Sequence, residues 1–361
     1  MGKKVLAAVA VGEMETTLRE FELPDISPEE GILRVEIVGI CGTDVAYYRH
    51  FQEPKILGHH VVGYIEKIGE VASKKWGLKE GDRVAMEEYI PCGQCKACRT
   101  GAYRSCTFTD PRSGGIRYGT VPISMNPSLW GGFSQYMYLH PNSVLHKMAD
   151  HVPAVEAALT LPLANGFEWM SMEGKVTTGQ VVAIYGPGQQ GLACGLAAKA
   201  AGATVIMIGR SSSQRRLTLA KELGMDYIIN TTTDDLYSSI EQITDGHMAD
   251  VVLDVTSGGT APITDSINIA KKGGIVLLGA YKYQAIPEWD VDTVIKKTLT
   301  LKGVRGHSFE SVQMATELIA AGRFPLSLLN SHNYRLDQVD LALKTAGGEG
   351  EPGPLLVTVT P

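Results

Sequence analysis

The run GQVVAIYGPGQQGLACGLAAKAAGATVIMIG, residues 179–209, constrains the fold of this chain more than any other segment. It predicts an apolar strand over Val181–Tyr185, a glycine turn, an Ala- and Leu-rich helix over Leu192–Ala201, and a second strand over Thr204–Ile208. Two further buried strands are indicated by ADVVLDVTSG and GGIVLLGAY. Strands that alternate with helices in this way predict a parallel, doubly wound α/β sheet.

The turn inside this run has the spacing of a dinucleotide-binding site. Gly186, Gly188 and Gly191 form G-x-G-x-x-G between a strand and a helix, which is the context that gives this otherwise weak motif its meaning. The glycines permit a tight turn and a close approach of a pyrophosphate, while Gln189 and Gln190 open a helix whose N-terminal amides can bind it. An ordinary glycine-rich turn is the alternative interpretation.

The residues after the second strand bear on which dinucleotide would bind. An NAD-binding unit usually has an acidic residue there, on the ribose hydroxyls. This chain has Arg210 and Ser211, with Arg215 a few residues on. Cations and no carboxylate favour a 2′-phosphate, so the sequence predicts NADP(H) over NAD(H). The arginines would equally suit the solvated start of the next helix.

Four of the six cysteines fall within residues 91–107 with the spacing Cys-x2-Cys-x2-Cys-x7-Cys. Thiolates this close can surround one tetrahedral ion, and four sulfurs leave no position for water, so we expect a structural zinc. A disulfide framework and an iron–sulfur cluster are the rival interpretations. Reduced thiolates would also indicate the cytoplasm. The cysteines concerned are Cys92, Cys95, Cys98 and Cys106.

Bulk properties limit the remaining classes. A length of 361 residues is enough for two domains, and a net charge of -6 without long runs of one sign argues against nucleic acid or an anionic membrane as partner. No apolar stretch is long enough to span a bilayer. The start MGKKVLAAVAVG imitates a secretory signal, but the alternating TTLREFELP that follows favours a first β-strand.

Several motifs in fixed order resemble the zinc-containing medium-chain alcohol dehydrogenase superfamily: GICGTD at 39–44, ILGHHVVGYIEKIG at 56–69, LKEGDRV at 78–84, the cysteine lobe and the glycine turn. The resemblance implies a partly open, GroES-like β-barrel catalytic domain over 1–160 and 295–361. It also implies a Rossmann domain over 161–294, a small-molecule substrate, and a homodimer or homotetramer.

The resemblance also assigns roles at the reaction centre. Cys41 and His59 match the first two ligands of the catalytic zinc, and Thr43 matches the hydroxyl that passes the alcohol proton outward. Asp44 matches a residue of the same motif that holds the loop or orients a ligand. The implied reaction transfers hydride between a nicotinamide and an alcohol, aldehyde or ketone.

Three positions depart from the family pattern. His60 replaces the glutamate beside the second ligand, Leu161 falls where a third ligand is expected, and Ala46 replaces a histidine of the proton relay. His60 or the neighbouring Glu168 would then complete the zinc site, or zinc would be weak or absent. The last case favours an NADPH-dependent reductase of an activated C=C bond, and a non-enzymatic nucleotide-binding protein is a further alternative.

Substrate preference is less constrained by the sequence. Phe108, Trp130 and Tyr47 are candidates for an apolar pocket, although each is also typical of ordinary packing. Few charged residues lie near the zinc motifs, which disfavours a phosphorylated or acidic substrate, and we expect a hydrophobic or aromatic alcohol, aldehyde or ketone. Arg305 is expected either beside the cofactor or on a surface strand.

Overall fold

The computed structural model describes residues 3–286 and 289–361. The chain forms two compact units, the first from Met1–Leu161 with Ser308–Pro361 and the second from Pro162–His307. The second unit therefore continues past the expected boundary at residue 294. The reason is a strand over Thr300–Gly303 that pairs with the strand over Ala270–Leu278 and so extends the sheet of that unit.

Strands and helices are numbered along the chain. The strands are β1 Lys4–Gly12, β2 Glu15–Glu22, β3 Gly31–Gly39, β4 Lys55–Ile56, β5 His60–Ile68, β6 Arg83–Met86, β7 Tyr136–Leu139, β8 Leu145–Lys147, β9 Val181–Tyr185, β10 Thr204–Gly209, β11 Tyr227–Asn230, β12 Ala249–Asp254, β13 Ala270–Leu278, β14 Thr300–Gly303, β15 Asn330–Arg335 and β16 Leu356–Thr360.

The α-helices are α1 Gly42–Arg49, α2 Glu70–Trp76, α3 Lys96–Arg99, α4 Ala154–Ala157, α5 Thr160–Phe167, α6 Gln189–Ala200, α7 Gln214–Glu222, α8 Leu236–Ile243, α9 Ala261–Ile269, α10 Val291–Lys296, α11 Phe309–Ala320 and α12 Val339–Gly347. A π-helical segment, Glu168–Glu173, continues α5. Short 3-10 turns cover Tyr103–Ser105, Thr107–Thr109, Pro111–Ser113, Ser211–Ser213, Leu326–Leu329 and Leu336–Gln338. Within the described residues, no helix is both long and apolar enough to cross a membrane.

The first unit is a partly open β-barrel. One sheet has the order β2-β1-β4 and another β15-β16-β3-β5-β6-β8, with β7 also paired to β3. The backbone N–H of Ala8 donates to the carbonyl of Phe133, and that of Gln135 donates to the carbonyl of Leu6, which joins β1 to the segment before β7. The N-terminal run predicted as a strand is β1, whose Ala7 and Val9 are fully buried.

The second unit contains the predicted parallel sheet in the order β11-β10-β9-β12-β13-β14. The strand predicted over Val181–Tyr185 is confirmed as β9, which pairs in parallel with β10 and β12. Val182, Ala183 and Ile184 are completely buried, as expected for a central strand covered on both faces. The glycine turn follows the carboxyl end of β9, the edge at which open α/β sheets bind their ligands.

Candidate metal and nucleotide sites

The four clustered cysteines bring their sulfurs together. Cys92 Sγ lies 3.8 Å from Cys98 Sγ, and Cys95 Sγ lies 3.5 Å from Cys98 Sγ. The sulfur of Cys106 joins them, and all four atoms lie within 4.8 Å of one another. Sulfurs that share one tetrahedral zinc at ~2.3 Å lie roughly 3.8 Å apart. The described cysteines are all free thiols, so the geometry fits a metal and not a disulfide framework.

A buried polar network attaches this cysteine lobe to the barrel. The hydroxyl of Tyr103, between Cys98 and Cys106, donates to Glu87 Oε1 at 2.5 Å. His146 Nε2 contacts the same oxygen at 2.6 Å, and the side chains of Glu87 and His146 are both fully buried. Because Glu87 follows β6 and His146 belongs to β8, the lobe is fixed to two neighbouring strands of the barrel.

A second set of atoms that could hold a metal ion, the Cys41 group, lies in the same unit. One ligand atom each from Cys41, His59 and His60 falls within 4.8 Å of the others. Cys41 is the N-cap of α1, and the two histidines stand at the start of β5. The two imidazole rings lie edge to face, with centroids 4.8 Å apart. The structure therefore brings together two expected ligands and the residue that replaces the family glutamate.

Asp44 organises this group. Its Oδ2 accepts from the backbone N–H of Cys41 at 2.9 Å, and its Oδ1 accepts from the N–H of Gly58 at 3.0 Å. The same Oδ1 lies 3.1 Å from His59 Nδ1. A carboxylate on Nδ1 fixes the orientation of the ring and leaves Nε2 for a metal. Asp44 thus positions a ligand from α1 and a ligand from β5 together.

The electrostatics of the group favour the thiolate form of Cys41 and the protonated form of His59. Burial alone would raise the pKa of the Cys41 thiol, but the positive charge of His60 and hydrogen bonds from His59 and His60 lower this pKa to about 5. A thiolate is the form of cysteine that binds metal. Burial likewise opposes the charged form of His59, yet the Asp44 carboxylate raises the pKa of His59 well above its ordinary value.

The residues present fit a zinc ion. His60 is buried, and its Nδ1 has no hydrogen-bond partner among the described residues. An unpaired buried imidazole nitrogen costs free energy unless something binds the ring, and a zinc ligand would do so. Leu161, buried in α5, offers no ligand atom. Glu168 is also buried, at the start of the π-helical segment in the second unit.

The outer face of α1 carries the expected proton-relay positions. Thr43 is exposed, and its Oγ1 lies 3.8 Å from Cys41 Sγ. Ala46, one turn later, is also exposed and has no group that can carry a proton. A hydroxyl is therefore placed beside the metal-binding sulfur, while the histidine that continues the relay in the family is absent.

The glycine turn has the conformation that its sequence requires. Gly186 has φ +103°, which favours glycine, and a Cβ on Gly191 would lie 1.9 Å from the carbonyl oxygen of Gly186. A Cβ on Gly188 would meet no atom within 4 Å, so the turn has open space at the N-terminus of α6. Gln189 Nε2 is buried without a partner among the described residues. This cradle fits a pyrophosphate.

The side chain of Gln190, in contrast, is hydrogen-bonded to other residues of the protein. Its Nε2 donates to the carbonyl of Pro162 at 3.1 Å, and its Oε1 accepts from Asn165 at 3.3 Å. Any contact of Gln190 with a nucleotide would therefore use its backbone N–H. Helix N-termini bind anions through such backbone groups.

A cavity of about 210 Å³ opens beside the turn, within the second unit. Arg210, which follows the carboxyl end of β10, lines this cavity together with residues that follow β12 and residues of α9. Burial and the charge of Asp254 raise the pKa of Asp265, one of the α9 residues. The residues that line the cavity include Gly186, Pro187, Arg210, Ser212, Ser213, Thr256 and Asp265.

Some expected residues do not line this cavity. The hydroxyl of Ser211 is paired with the side chain of Asn230, and its backbone N–H donates to Thr232. Arg215 and Arg305 are exposed and are not among the lining residues. The sequence analysis did not single out Thr256 and Asp265. Thr256 comes directly after the parallel strand β12, which is a signal that could have found it, whereas Asp265 lies within α9 and has no such signal.

The aromatic residues expected around a substrate separate as well. Trp130 belongs to the barrel core, where its indole N–H donates to the carbonyl of Met125 at 3.0 Å. Phe108 is 61% exposed and borders a cavity beside Cys92. Tyr47 is half-buried on α1. Of the three, Tyr47 alone shares an element with the Cys41 group.

Comparison with known proteins shows the family to which the chain belongs. Residues 27–150 match the family described as Alcohol dehydrogenase GroES-like domain, and residues 191–321 match the one described as Zinc-binding dehydrogenase. A protein of Mycobacterium tuberculosis H37Rv, named probable alcohol dehydrogenase, is 34% identical over 98% of this chain and 97% of its own. The chain belongs to the zinc-containing medium-chain alcohol dehydrogenase superfamily.

Other members show the same relationship. An L-threonine 3-dehydrogenase of Pyrococcus horikoshii is 30% identical over 88% of both chains. Among solved structures, an alcohol dehydrogenase of Thermotoga maritima superimposes with a TM-score of 0.88 over the whole of both chains, at 24% identity. The expected GroES-like and Rossmann folds are therefore confirmed, and this medium-chain dehydrogenase is an oxidoreductase.

Proposed function

We propose that the protein transfers hydride between NADP(H) and the carbon of an alcohol, aldehyde or ketone, with a catalytic zinc held by Cys41, His59 and His60. The observation that carries the proposal is the gathering of these three ligand atoms within 4.8 Å, with a buried His60 whose Nδ1 lacks a partner among the described residues. His60 thus stands in for the ligand missing at Leu161.

When bound, zinc at this group supplies a Lewis acid, and the nicotinamide supplies or accepts hydride. The chain's own residues orient the ligand and take up the proton. Asp44 holds the His59 ring through Nδ1, and the hydroxyl of Thr43, beside Cys41, takes the proton that an alcohol loses. Ala46 has no group that can continue that relay, so Thr43 would pass the proton to water.

Zinc content per chain tests the proposal. We expect about two zinc ions in the wild type, and about one in Cys92→Ser and in His60→Ala. His60→Ala should also lose turnover of simple aldehydes, whereas His50→Ala, an exposed histidine just past α1, should keep both ions. About one ion in the wild type, unchanged in His60→Ala, would contradict the proposal and favour the reduction of an activated C=C bond.

The preference for NADP(H) is supported by Arg210, which lines the cavity at the carboxyl end of β10 where an NAD-binding unit usually has an acid. Structural neighbours bind either cofactor: a Sinorhizobium meliloti dehydrogenase is bound to NADP, and an Escherichia coli one is complexed with NADH. Both are under 25% identical and support the fold alone.

Arg210→Asp should lower the ratio of kcat/KM for NADPH to that for NADH by roughly 10- to 100-fold, the loss of one charge-assisted contact. Lys221→Ala, an exposed charge on α7, is the matched control. An unchanged ratio in Arg210→Asp would remove the basis for this preference.

We also propose that the protein acts as a homodimer or homotetramer on small molecules, as the family resemblance implies. Sedimentation equilibrium of the purified chain measures this directly, and a monomer at all concentrations would contradict it.

A further inference from the structure

A buried lysine, Lys55, has no carboxylate partner within the part of the chain that the structure describes. Lys55, the first residue of β4, is 5% exposed, and no described carboxylate lies within ion-pair distance of it. Its Nζ lies 5.1 Å from the ring centroid of Tyr47, a cation–π contact. Burial lowers the pKa of Lys55, and the charge of Glu53 only partly opposes this. Burying an ammonium without a counter-ion is costly, so its retention needs a reason.

Three contacts, taken in order along the chain, give the position of Lys55 relative to the Cys41 group. The segment from Lys55 to His60 runs back along α1: Lys55 meets Tyr47, Gly58 and His59 meet Asp44, and the histidines then meet Cys41. Tyr47 and Cys41 are six residues apart, which is roughly 9 Å along a helix. Lys55 therefore lies at roughly that distance from the Cys41 group, a separation that a small-molecule substrate can span.

The same face of α1 connects the two. Thr43, Ala46 and His50 are exposed and Tyr47 is half-buried, a spacing of three and four residues that defines one helix face. Thr43 on this face lies beside Cys41, and Tyr47 on this face lies beside Lys55. Ala46, between them, has the smallest side chain that still bears a Cβ. This face of α1 therefore runs from the Cys41 sulfur to the ammonium of Lys55.

We propose that Lys55 and Tyr47 form a subsite for a carboxylate at the far end of the substrate. The proposal rests on the proposed oxidoreductase function. It makes the preferred substrate an oxo acid or hydroxy acid whose reacting carbon is separated from the carboxylate by an apolar chain of about four to six carbons, the length that fits roughly 9 Å. This proposal departs from the expectation that an acidic substrate is disfavoured: the carbon chain lies along Ala46 and the Tyr47 ring, and the ammonium binds its charged end.

Binding tests the subsite without turnover. Propanesulfonate carries an anion that ligates zinc poorly, and methyl propyl sulfone is its neutral analogue. With the nucleotide site filled by NADP⁺, titration calorimetry should show the wild type binding the sulfonate at least about 10-fold more tightly than the sulfone. Lys55→Met should abolish this difference, and Lys74→Met, an exposed lysine of α2, should retain it. Equal affinities in the wild type, or a difference that survives in Lys55→Met, would overturn the subsite.

Turnover separates the subsite from the reaction. The wild type should reduce 7-oxoheptanoate, in which five carbons separate the aldehyde from the carboxylate, with a kcat/KM at least about 10-fold above that for heptanal, and Lys55→Met should lose this preference. If heptanal is reduced without any preference for the oxo acid, the subsite fails and the oxidoreductase stands. If neither aldehyde reacts while the sulfonate difference persists, the reaction fails and the subsite stands.

Stability provides the structural control. Because the folded state lowers the pKa of Lys55 below its ordinary 10.5, the ammonium opposes folding at neutral pH, and this penalty disappears above that value. Lys55→Met should therefore unfold at the same or a higher temperature than the wild type near pH 7. A clearly lower unfolding temperature would mean that Lys55 supports the fold, and would overturn the assignment.

Discussion

The cysteine lobe and the Cys41 group gather metal-binding atoms at similar spacings, yet they are built differently. The lobe collects four sulfurs from one short segment, and three of its cysteines are only partly buried. The Cys41 group takes its atoms from α1 and β5, buries both histidines, and depends on Asp44 to hold them. Local spacing is enough to build a closed site, whereas an open one needs the packed protein around it.

The largest difference should appear on removing one ligand of the lobe. Cys92→Ser should lose about one zinc per chain and lower the unfolding temperature by roughly 10 °C, since a structural metal contributes directly to folding. Differential scanning calorimetry with elemental analysis measures both. Cys194→Ala, a buried thiol of α6 outside either group, should keep its zinc. Equal zinc loss in both variants would end the distinction between the two regions.

Asp44→Asn should weaken the other group without touching the lobe. The amide cannot hold His59 as a carboxylate does, so we expect zinc affinity at this group to fall by roughly 10- to 100-fold while about one ion stays bound in the lobe. Competition with a chromogenic chelator resolves the two affinities. Loss of both ions in parallel would show that the two regions are coupled.

Each region is also anchored by a tyrosine hydroxyl on a carboxylate. Tyr103 donates to the fully buried Glu87, and Tyr48 of α1 donates to the partly exposed Asp340, both at 2.5 Å. Tyr103→Phe should cost about 2 kcal/mol of unfolding free energy, and Tyr48→Phe about 1 kcal/mol, because a buried acceptor that loses a donor is the more costly. Urea unfolding of the two variants gives the order, and the reverse order would contradict it.

The smallest effect concerns pH at the α1 anchor. Burial opposes ionisation of Asp340, but hydrogen bonds from Lys344 and Tyr48 outweigh it and lower the pKa of Asp340 below its ordinary 3.8. The stabilisation is therefore present above pH 3.8 and is lost as the pH falls through the folded-state value. Because solvent screens this partly exposed carboxylate, Asp340→Asn should cost only about 0.5 kcal/mol at pH 7, and nothing in more acidic solution. A pH-independent cost would assign the effect to packing.

Much of the fold was predictable because its elements have local causes. Val181–Tyr185 is apolar, β-branched and followed by glycine, so that its strand and turn could be located from adjacent residues. The cysteine lobe was equally predictable, since spacing alone brings four sulfurs together. The end of the second unit was not predictable, because β14 is a short and mostly exposed edge strand, paired only with β13, and its sequence has no strong alternation of apolar and polar residues.

The candidate site was predictable only where a motif is contiguous. Cys41, Thr43, Asp44, His59 and His60 come from two short motifs, and the structure places them in one neighbourhood. Lys55 carried no signal, because a single lysine in a polar segment is ordinarily solvated. Its burial depends on the pairing of β4 with β1 and on the contact with Tyr47. Such tertiary contacts cannot be predicted from the residues adjacent to Lys55 in the sequence.

The pairing of β16 with β3 has a consequence for synthesis of the chain. On the ribosome, β3 emerges early, but its partner Leu356–Thr360 is made only after the whole second unit. During that interval one edge of β3 is incompletely paired, and such edges invite association with other nascent chains. The second unit, continuous in sequence, can fold in the meantime. Slow translation of the last residues would therefore prolong exposure of the first unit and leave the second unaffected.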